Sequence, residues 1–194
     1  MRLWQSASSK GLTPTVGFST LPSVPLSVRE MRSDDARAFL EVHHSAVRRL
    51  AADSYPSDVI EAWAPLPISE EHVQFVRANA DHEFRLVAES DGEIIGVGCL
   101  IAQASELRAC YVAPSAARKG VGSAILREIE RAACDRGVMT LWADSSLTAE
   151  QFYQANGYEV CGRGEHVLNN GVRMACVRMR KDVASRAQSG HPGL

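Results

Sequence analysis

The spacing of apolar positions changes several times along the chain, and each change predicts a different element. Residues 26–32 alternate between apolar and polar like a strand, and Ser33 then caps a long helix with apolar side chains at helical spacing up to Leu50. A shorter helix is predicted ahead of Pro65 and another after Ser69. Ordered structure is therefore expected to begin near residue 26, with three helices ahead of the main sheet.

Strand-like runs dominate the middle of the chain. Residues 84–88 and 94–101 are largely apolar and are joined by Asp91-Gly92, a dipeptide typical of hairpin turns. Residues 107–112 supply the next strand. Three consecutive antiparallel strands are therefore expected to lead into the loop that follows.

A strand–helix–strand crossover is predicted next. Apolar residues recur at helical spacing over residues 125–133, and residues 137–143 are nearly all apolar. The second run is expected to be a central strand that is buried on both faces and parallel to strand 107–112. Three further elements complete the pattern: a short helix over 148–155, a strand over 158–161 and a last strand over 174–179.

The loop between strand 107–112 and the following helix is suited to an anion. Pro114 ends the strand, and Gly120 and Gly122 allow close approach of a ligand to the free N–H groups of a helix start. Arg118 and Lys119 add two positive charges at the same place. A phosphate ligand is therefore predicted, against the plainer alternative of a glycine-containing helix start that binds nothing.

The same loop departs from the two common nucleotide motifs. A P-loop needs Gly-Lys followed by Ser or Thr, whereas Lys119 precedes its glycine. A dinucleotide fold needs a third glycine where Ile125 stands. Both nucleotide interpretations are weakened.

Composition sets the domain organisation. The chain has 194 residues, 45% hydrophobic and 23% charged, which fits one globular domain, expected over residues 26–181. Residues 1–25 contain no acidic residue and no periodicity, and are expected to be a disordered extension, with a transit-like segment as the alternative. Residues 182–194 are expected to be a disordered tail.

A net charge of −2 argues against a nucleic-acid surface, and the basic run 178–181 is expected to be a solvated strand end.

Cysteine and histidine positions bear on metal and compartment. Five cysteines occur without any Cys-x-x-Cys pair, which argues against a disulfide framework and a zinc site and favours a reducing cytoplasm. His43 and His44 are adjacent and diverge on a helix, so no metal site is assigned. No apolar run reaches 18 residues, so neither a membrane span nor a membrane partner is expected.

Three local motifs, over roughly residues 27–180, together resemble the GNAT superfamily of acetyl-CoA-dependent N-acetyltransferases. The first is the loop and helix start Arg118-Lys119-Gly120-Val121-Gly122-Ser123, which is similar to the family's Gln/Arg-x-x-Gly-x-Gly/Ala pyrophosphate loop. Ala117 stands where the family has Gln or Arg, so Arg118 or backbone N–H groups must replace that contact.

The second and third motifs flank this loop. Residues 146–158 resemble the pattern Asn-x-x-Ala-x-x-hydrophobic-Tyr-x-x-x-Gly-Phe/Tyr, with Ser146 in place of the frequent Asn and Tyr153 at the tyrosine. Residues 105–112 resemble the strand whose backbone pairs with pantetheine, and Glu106 stands where several members keep a general base.

The resemblance implies an α/β (α+β) fold of the GNAT type, with a mixed central sheet of six to seven strands flanked by helices. It implies transfer of an acetyl group from acetyl-CoA, as cosubstrate, to a primary amine on a small molecule or peptide. The residues expected to bind the cosubstrate are Cys110, Tyr111, Val112, Ala117, Arg118, Lys119, Gly120, Val121, Gly122, Ser123 and Ser146.

Two side chains are expected to do the chemistry. An alkylamine with a pKa of about 10.4 is protonated at neutral pH, so Glu106 is expected to take its proton, with Glu41, Glu83 or a water chain as alternatives. Tyr153 is expected to protonate the CoA thiolate, with a core or interface aromatic as the alternative. A backbone N–H near Cys110 is expected to polarise the thioester carbonyl, with the thiol itself only packing.

Further expectations concern the rest of the domain. Trp63 and Tyr55 form either the acceptor-side wall or core packing. Gly122→Val is expected to block CoA with little loss of fold stability, and an exposed last strand would suit a homodimer. Because Ala117 and Ser146 depart from the family pattern, a catalytically silent CoA-binding sensor or partner-binding module remains the alternative function.

Overall fold

A seven-stranded mixed sheet with helices on both faces forms the protein in a computed structural model that describes residues 26–184. The spatial order of the strands is β1-β2-β3-β4-β5-β7-β6. Their bounds are β1 Ser27–Glu30, β2 Phe84–Ser90, β3 Glu93–Ile101, β4 Glu106–Val112, β5 Thr140–Ser145, β6 Glu159–Val167 and β7 Arg173–Asp182. The predicted α/β class and mixed sheet are confirmed.

Five α-helices surround the sheet within the described part of the chain. They are α1 Ala36–Ala46, α2 Ser57–Trp63, α3 Glu70–Ala78, α4 Val121–Asp135 and α5 Glu150–Ala155. The chain continues beyond α1 through a wider turn at Val47–Ala51. None of the helices in residues 26–184 has the length and apolar character needed to cross a bilayer.

The first helix begins differently from the expectation, whereas α3 begins as expected. The Arg32 N–H donates to Oδ2 of Asp35 at 2.7 Å, so Asp35 rather than Ser33 caps the short turn ahead of α1. At α3, the Ser69 hydroxyl accepts from the His72 N–H at 3.2 Å.

The two faces of the sheet carry separate cores. On the face that we call the α4 face, Ile125, Leu126 and Ile129 of α4 pack with Leu100 of β3 and Leu141 of β5. Tyr153 of α5 joins this cluster. On the opposite face, here the α1 face, one cluster contains side chains of α1 and α3, and a second contains Val47, Tyr55 and Met174.

Strand β5 is buried on one face only, which corrects the prediction of a strand buried on both. Leu141 and Ala143 point into the α4-face core, whereas Trp142 is 47% exposed and Asp144 is exposed. Because the α1 face is open along β5, polar chemistry is possible where the apolar sequence suggested packing.

The last strand lies inside the sheet. β7 pairs with β5 on one side and with β6 on the other, so β6 is the outer strand at this end, and the premise of an exposed last strand is wrong. β7 extends to Asp182, and Val183 is 2% exposed and donates its N–H to the Met139 carbonyl at 2.8 Å. The last strand and Val183 therefore extend past the expected boundary at 181, while the expectations for residues 1–25 and 185–194 lie outside the described residues.

Strands β4 and β5 separate soon after they meet. Their parallel ladder consists of one residue pair, Glu106 with Trp142, supported by a 2.9 Å bond from the Trp142 N–H to the Ser105 carbonyl. Beyond this pair the facing edges of the two strands diverge. Since unpaired strand edges present N–H and C=O groups, the split creates a polar slot in the middle of the sheet.

Candidate active site

A cavity of about 710 Å³ occupies the split between β4 and β5. Its lining comes from both strands, from the start of α4, from α5 and from the chain that follows α1. Ligand sites are typically concave, mostly apolar clefts with a few convergent polar groups, and this cavity has that character. All the predicted site residues except Lys119 lie on its lining.

A bulge shapes the β4 wall. Cys99 of β3 pairs with Ala109 and Leu100 pairs with Leu107, so Arg108 has no cross-strand partner in this ladder. The extra residue interrupts the alternation of side chains between the two faces of the sheet, so that Leu107 and Cys110 both face the α4 side. β4 is thereby bent at the place where it leaves β5.

The glycine loop has the geometry expected of an anion site. Gly120 has φ of +82°, which a glycine adopts without strain, and it caps α4. The first N–H of α4 with a helical acceptor is that of Ala124, which donates to the Gly120 carbonyl at 3.0 Å. The N–H groups of the three preceding residues, Val121 to Ser123, are therefore available at the positive end of the helix dipole.

Gly122 is required by a close approach within the protein. A Cβ built there meets the Phe152 ring at 2.9 Å, so α5 rests directly on the first turn of α4. This close contact argues against the expectation that Gly122→Val spares fold stability, because the Phe152 ring must move. At Gly120 nothing lies within 4 Å of such a Cβ, and only the positive φ opposes substitution.

The two basic residues of the loop separate. Both are exposed, but Arg118 lies on the cavity lining and Lys119 does not. We expect Arg118→Gln to weaken CoA binding by about fivefold or more, because one charge-assisted contact to phosphate is lost. Lys119→Gln should have a smaller effect. Calorimetric titration of CoA checks both variants, and equal losses would show that the loop acts only through its net charge.

Tyr153 stands at the α4-face side of the cavity. Its ring is 6% exposed and makes edge contacts with Phe152 at 5.2 Å and Tyr158 at 5.3 Å. Burial, with smaller contributions from Cys110 and the neighbouring tyrosines, raises the pKa of the phenol well above its usual value. Tyr153 therefore stays protonated at neutral pH, and it lines the cavity.

Cys110 is a packing residue, as expected. Its thiol donates to the Gly122 carbonyl at 3.7 Å and joins β4 to the first turn of α4. Burial raises the pKa of this thiol to about 12.

Glu106 lines the cavity, but a neighbour engages its carboxylate. Arg108 Nε donates to Oε1 at 2.6 Å and Nη2 donates to Oε2 at 3.1 Å. Both carboxylate oxygens are thus engaged by one guanidinium group. The alternative bases lie elsewhere: Glu41 is exposed on α1, Glu83 pairs with Arg85 at 2.6 Å, and neither lines the cavity.

An aromatic layer closes the α1 side. Trp63 and Tyr111 line the cavity with ring centroids 6.2 Å apart, and His43 packs behind Tyr111 at 4.5 Å. Burial lowers the pKa of His43 to about 3, so its imidazole is neutral.

Tyr55 lies behind this layer in the sequence-predicted wall but has a structural role. Its hydroxyl donates to the Ala175 carbonyl at 2.8 Å and accepts from the Leu147 N–H at 2.7 Å.

A pair that sequence reasoning missed completes the lining. His166 of β6 and Asp144 of β5 both face the cavity, with Nδ1 of the imidazole 3.1 Å from Oδ2 of the carboxylate. Asp144 follows the apolar run 137–143 directly, and a polar residue at the end of a buried strand is a usable signal. His166 lies in a polar, glycine-containing stretch that gave no strand signal.

Ser146 and Ala117 complete the predicted set. Both line the cavity, and the Ser146 hydroxyl lies 3.1 Å from that of Thr148, where the chain turns from β5 toward α5. Ala117 offers no side-chain donor. In residues 26–184 no group of three or more His, Cys, Asp or Glu side chains has a spacing that could hold a metal ion.

Comparison with known proteins gives consistent matches. Residues 51–183 match the sequence profile of the acetyltransferase (GNAT) domain family. The spermidine N(1)-acetyltransferase of Thermoplasma acidophilum is 25% identical over 143 residues, which are 70% of this chain and 89% of the relative. A GCN5-related N-acetyltransferase from Rhodopseudomonas palustris superposes with a TM-score of 0.74 at 24% identity, covering 84% of this chain and 98% of that one. The PaiA N-acetyltransferase of T. acidophilum, solved with coenzyme A, gives a TM-score of 0.65 at 21% identity and covers 81% of this chain and 99% of that one.

Proposed function

This chain belongs to the acetyltransferase (GNAT) domain family, and from that premise we propose that it transfers an acetyl group from acetyl-CoA to a primary amine. The observation that carries the proposal is the split between β4 and β5. It opens a cavity that has the glycine loop and the start of α4 at one end and a protonated phenol, Tyr153, in its wall. The relative of known activity acts on spermidine, and a small-molecule or peptide amine is the acceptor class proposed for this chain.

The residues present fit acetyl-CoA. The free N–H groups of Val121, Gly122 and Ser123, with Arg118 beside them, suit the pyrophosphate. The edge of β4 from Cys110 to Val112 lines the cavity and suits the amide groups of pantetheine. Bound there, acetyl-CoA supplies an activated thioester that a neutral amine attacks directly, so the enzyme needs no covalent intermediate of its own.

The chain's own residues then handle charge and protons. A backbone N–H of β4 near Cys110 polarises the thioester carbonyl. Tyr153, which stays protonated because it is buried, donates its phenolic proton toward the departing sulfur. The aromatic layer of Trp63 and Tyr111 shields the reacting groups from water on the α1 side.

Release of free CoA thiol tests the proposal. The protein is incubated with acetyl-CoA and a panel of primary amines that includes spermidine, simple alkylamines and lysine-containing peptides. Amine-dependent thiol release at a rate above that of hydrolysis supports the transferase. Thermal stabilisation by CoA without thiol release from any amine supports the binding module, and stronger stabilisation by ATP or NAD contradicts a CoA site altogether.

A further inference from the structure

His166 and Asp144 stand on the cavity as a hydrogen-bonded pair, and we infer that this pair is the base that takes the proton from the amine. The inference rests on the proposed function and deepens it by assigning the proton acceptor. Among residues 26–184, His166 is the one histidine on the cavity lining. The side chains of His166 and Asp144 are 33% and 39% exposed, so the pair meets both the cavity and solvent.

The register of strands β5, β7 and β6 determines where the side chains of Asp144 and His166 lie. Asp144 pairs with Arg178 across β5 and β7, and His166 pairs with Met174 across β6 and β7. The two side chains therefore reach toward each other across β7, over the small, buried side chain of Cys176. The Arg178 guanidinium lies against Gly164, where a built Cβ meets it at 3.0 Å.

The 3.1 Å contact sets the roles of the two nitrogens in the neutral imidazole. Because a carboxylate oxygen only accepts, Nδ1–H of His166 then donates to Oδ2 of Asp144, and Nε2 carries the lone pair that accepts a proton. The carboxylate orients the ring and stabilises the imidazolium that forms. Asp144 is therefore a positioning residue, and His166 is the group that touches the amine.

The charge balance follows from these roles. Nε2 of His166 accepts one proton from the ammonium group, which frees the nitrogen lone pair that forms the new C–N bond as the C–S bond breaks. The imidazolium returns this proton to solvent through its exposed side. As the C–S bond breaks, Tyr153 gives its phenolic proton to the departing sulfur, and the second proton lost by the nitrogen restores the phenol. The products are therefore the amide, CoA thiol and one released proton.

Glu106 is the competing base on the same lining, and its surroundings differ. Both of its oxygens accept hydrogen bonds from Arg108, whereas His166 retains an unused nitrogen. His43 does not compete, because its pKa is lowered to about 3 and it packs behind Tyr111. The structure thus favours the histidine pair over the carboxylate expected from sequence.

A comparison of two amines of nearly equal shape can distinguish a role of His166 as base from a purely structural role. Ethylamine is protonated at neutral pH, whereas 2,2,2-trifluoroethylamine is largely neutral and needs no base for its first deprotonation. We expect His166→Gln to lower kcat/KM for ethylamine by about 10²-fold or more but for trifluoroethylamine by less than tenfold. Asp144→Asn should show the same selectivity with a smaller loss. His72→Gln and Asp81→Asn, both on exposed surface, are the matched controls.

A second readout needs no turnover. With CoA bound, added ethylamine should shift the imidazole ¹⁵N signals of His166, assigned by their absence from His166→Gln, and leave those of His72 unchanged. The inference would be overturned if His166→Gln lowered kcat/KM equally for both amines. It would also be overturned if Glu106→Gln, and not His166→Gln, showed the ethylamine-selective loss. Neither result would contradict the proposed acetyl transfer. If the unaltered protein acetylates no amine, the proposed function fails, and the ¹⁵N shifts still report whether the amine reaches His166.

Discussion

Replacing Tyr153 with Phe is expected to lower kcat by about 10²-fold or more, because the substitution removes the proton donor to the CoA thiolate. The ring and its edge contacts with Phe152 and Tyr158 remain, so the melting temperature and CoA affinity should persist. Because the phenol pKa is raised, ionisation of Tyr153 should not limit the rate of the unaltered protein at neutral or mildly alkaline pH. Single-turnover kinetics with a good acceptor measure the chemical step.

Tyr158→Phe is the matched control. Tyr158 lies in the same aromatic cluster and is 3% exposed, but it does not line the cavity. The folded variant should keep its single-turnover rate. If Tyr153→Phe acetylates at the unaltered rate while chemistry is rate-limiting, Tyr153 is a packing residue and another group protonates the thiolate.

Replacing Lys181 with Met is expected to destabilise the fold by about 3–5 kcal/mol, the typical cost of breaking a buried ion pair. Lys181 Nζ donates to Oε1 of Glu130 at 2.6 Å and to the Asn156 carbonyl at 2.7 Å. The two side chains are only 11% and 7% exposed, so the substitution removes the cation from a carboxylate that is largely shielded from water. Urea denaturation measures the change in the free energy of unfolding.

A surface pair supplies the control for this substitution. Arg131→Met removes a cation that bonds Glu128 at 2.8 Å and Asp135 at 3.2 Å on exposed α4 surface, and it should change stability little. The double variant Lys181→Met, Glu130→Leu should recover much of the loss, since both buried charges are gone. A Lys181→Met protein as stable as the parent would contradict the structural role of the pair.

The burial of Lys181 could not be predicted from the sequence. The basic run 178–181 was expected to be solvated, and for Arg178 and Arg180 it is. Strand alternation turns Lys181 to the α4 face, where Glu130 of α4 meets it. A buried cation and its partner lie 51 residues apart along the chain, and only the packing of α4 on β7 brings them together.

The glycine loop was predictable because its signal is local, whereas Tyr153 was singled out only by the resemblance to the GNAT motif. The spacing of Gly120 and Gly122 at a helix start describes one turn of backbone, and the turn has the expected geometry. The burial of β5 on one face was not predictable. Its apolar run resembles that of a fully covered strand, and the exposure of Trp142 depends on where the α1-side helices end.

The pair of Asp144 and His166 depends on the position of β7. The last strand inserts between β5 and β6, which brings two polar side chains to opposite sides of one strand. Local spacing carries no information on this insertion. The general base was therefore assigned from sequence to Glu106, whose bidentate contact with Arg108 is likewise visible only in three dimensions.

Transfer of the acetyl group is tested most directly by mass spectrometry with acetyl-CoA labelled with ¹³C in both acetyl carbons and a panel of primary amines. The predicted result is an N-acetylated amine that carries both labelled carbons, formed in equal amount with free CoA thiol and about 10²-fold more slowly by Tyr153→Phe. Labelled product absent from every amine, in a protein that CoA still stabilises against heat, would contradict the transferase and show a CoA-binding module instead.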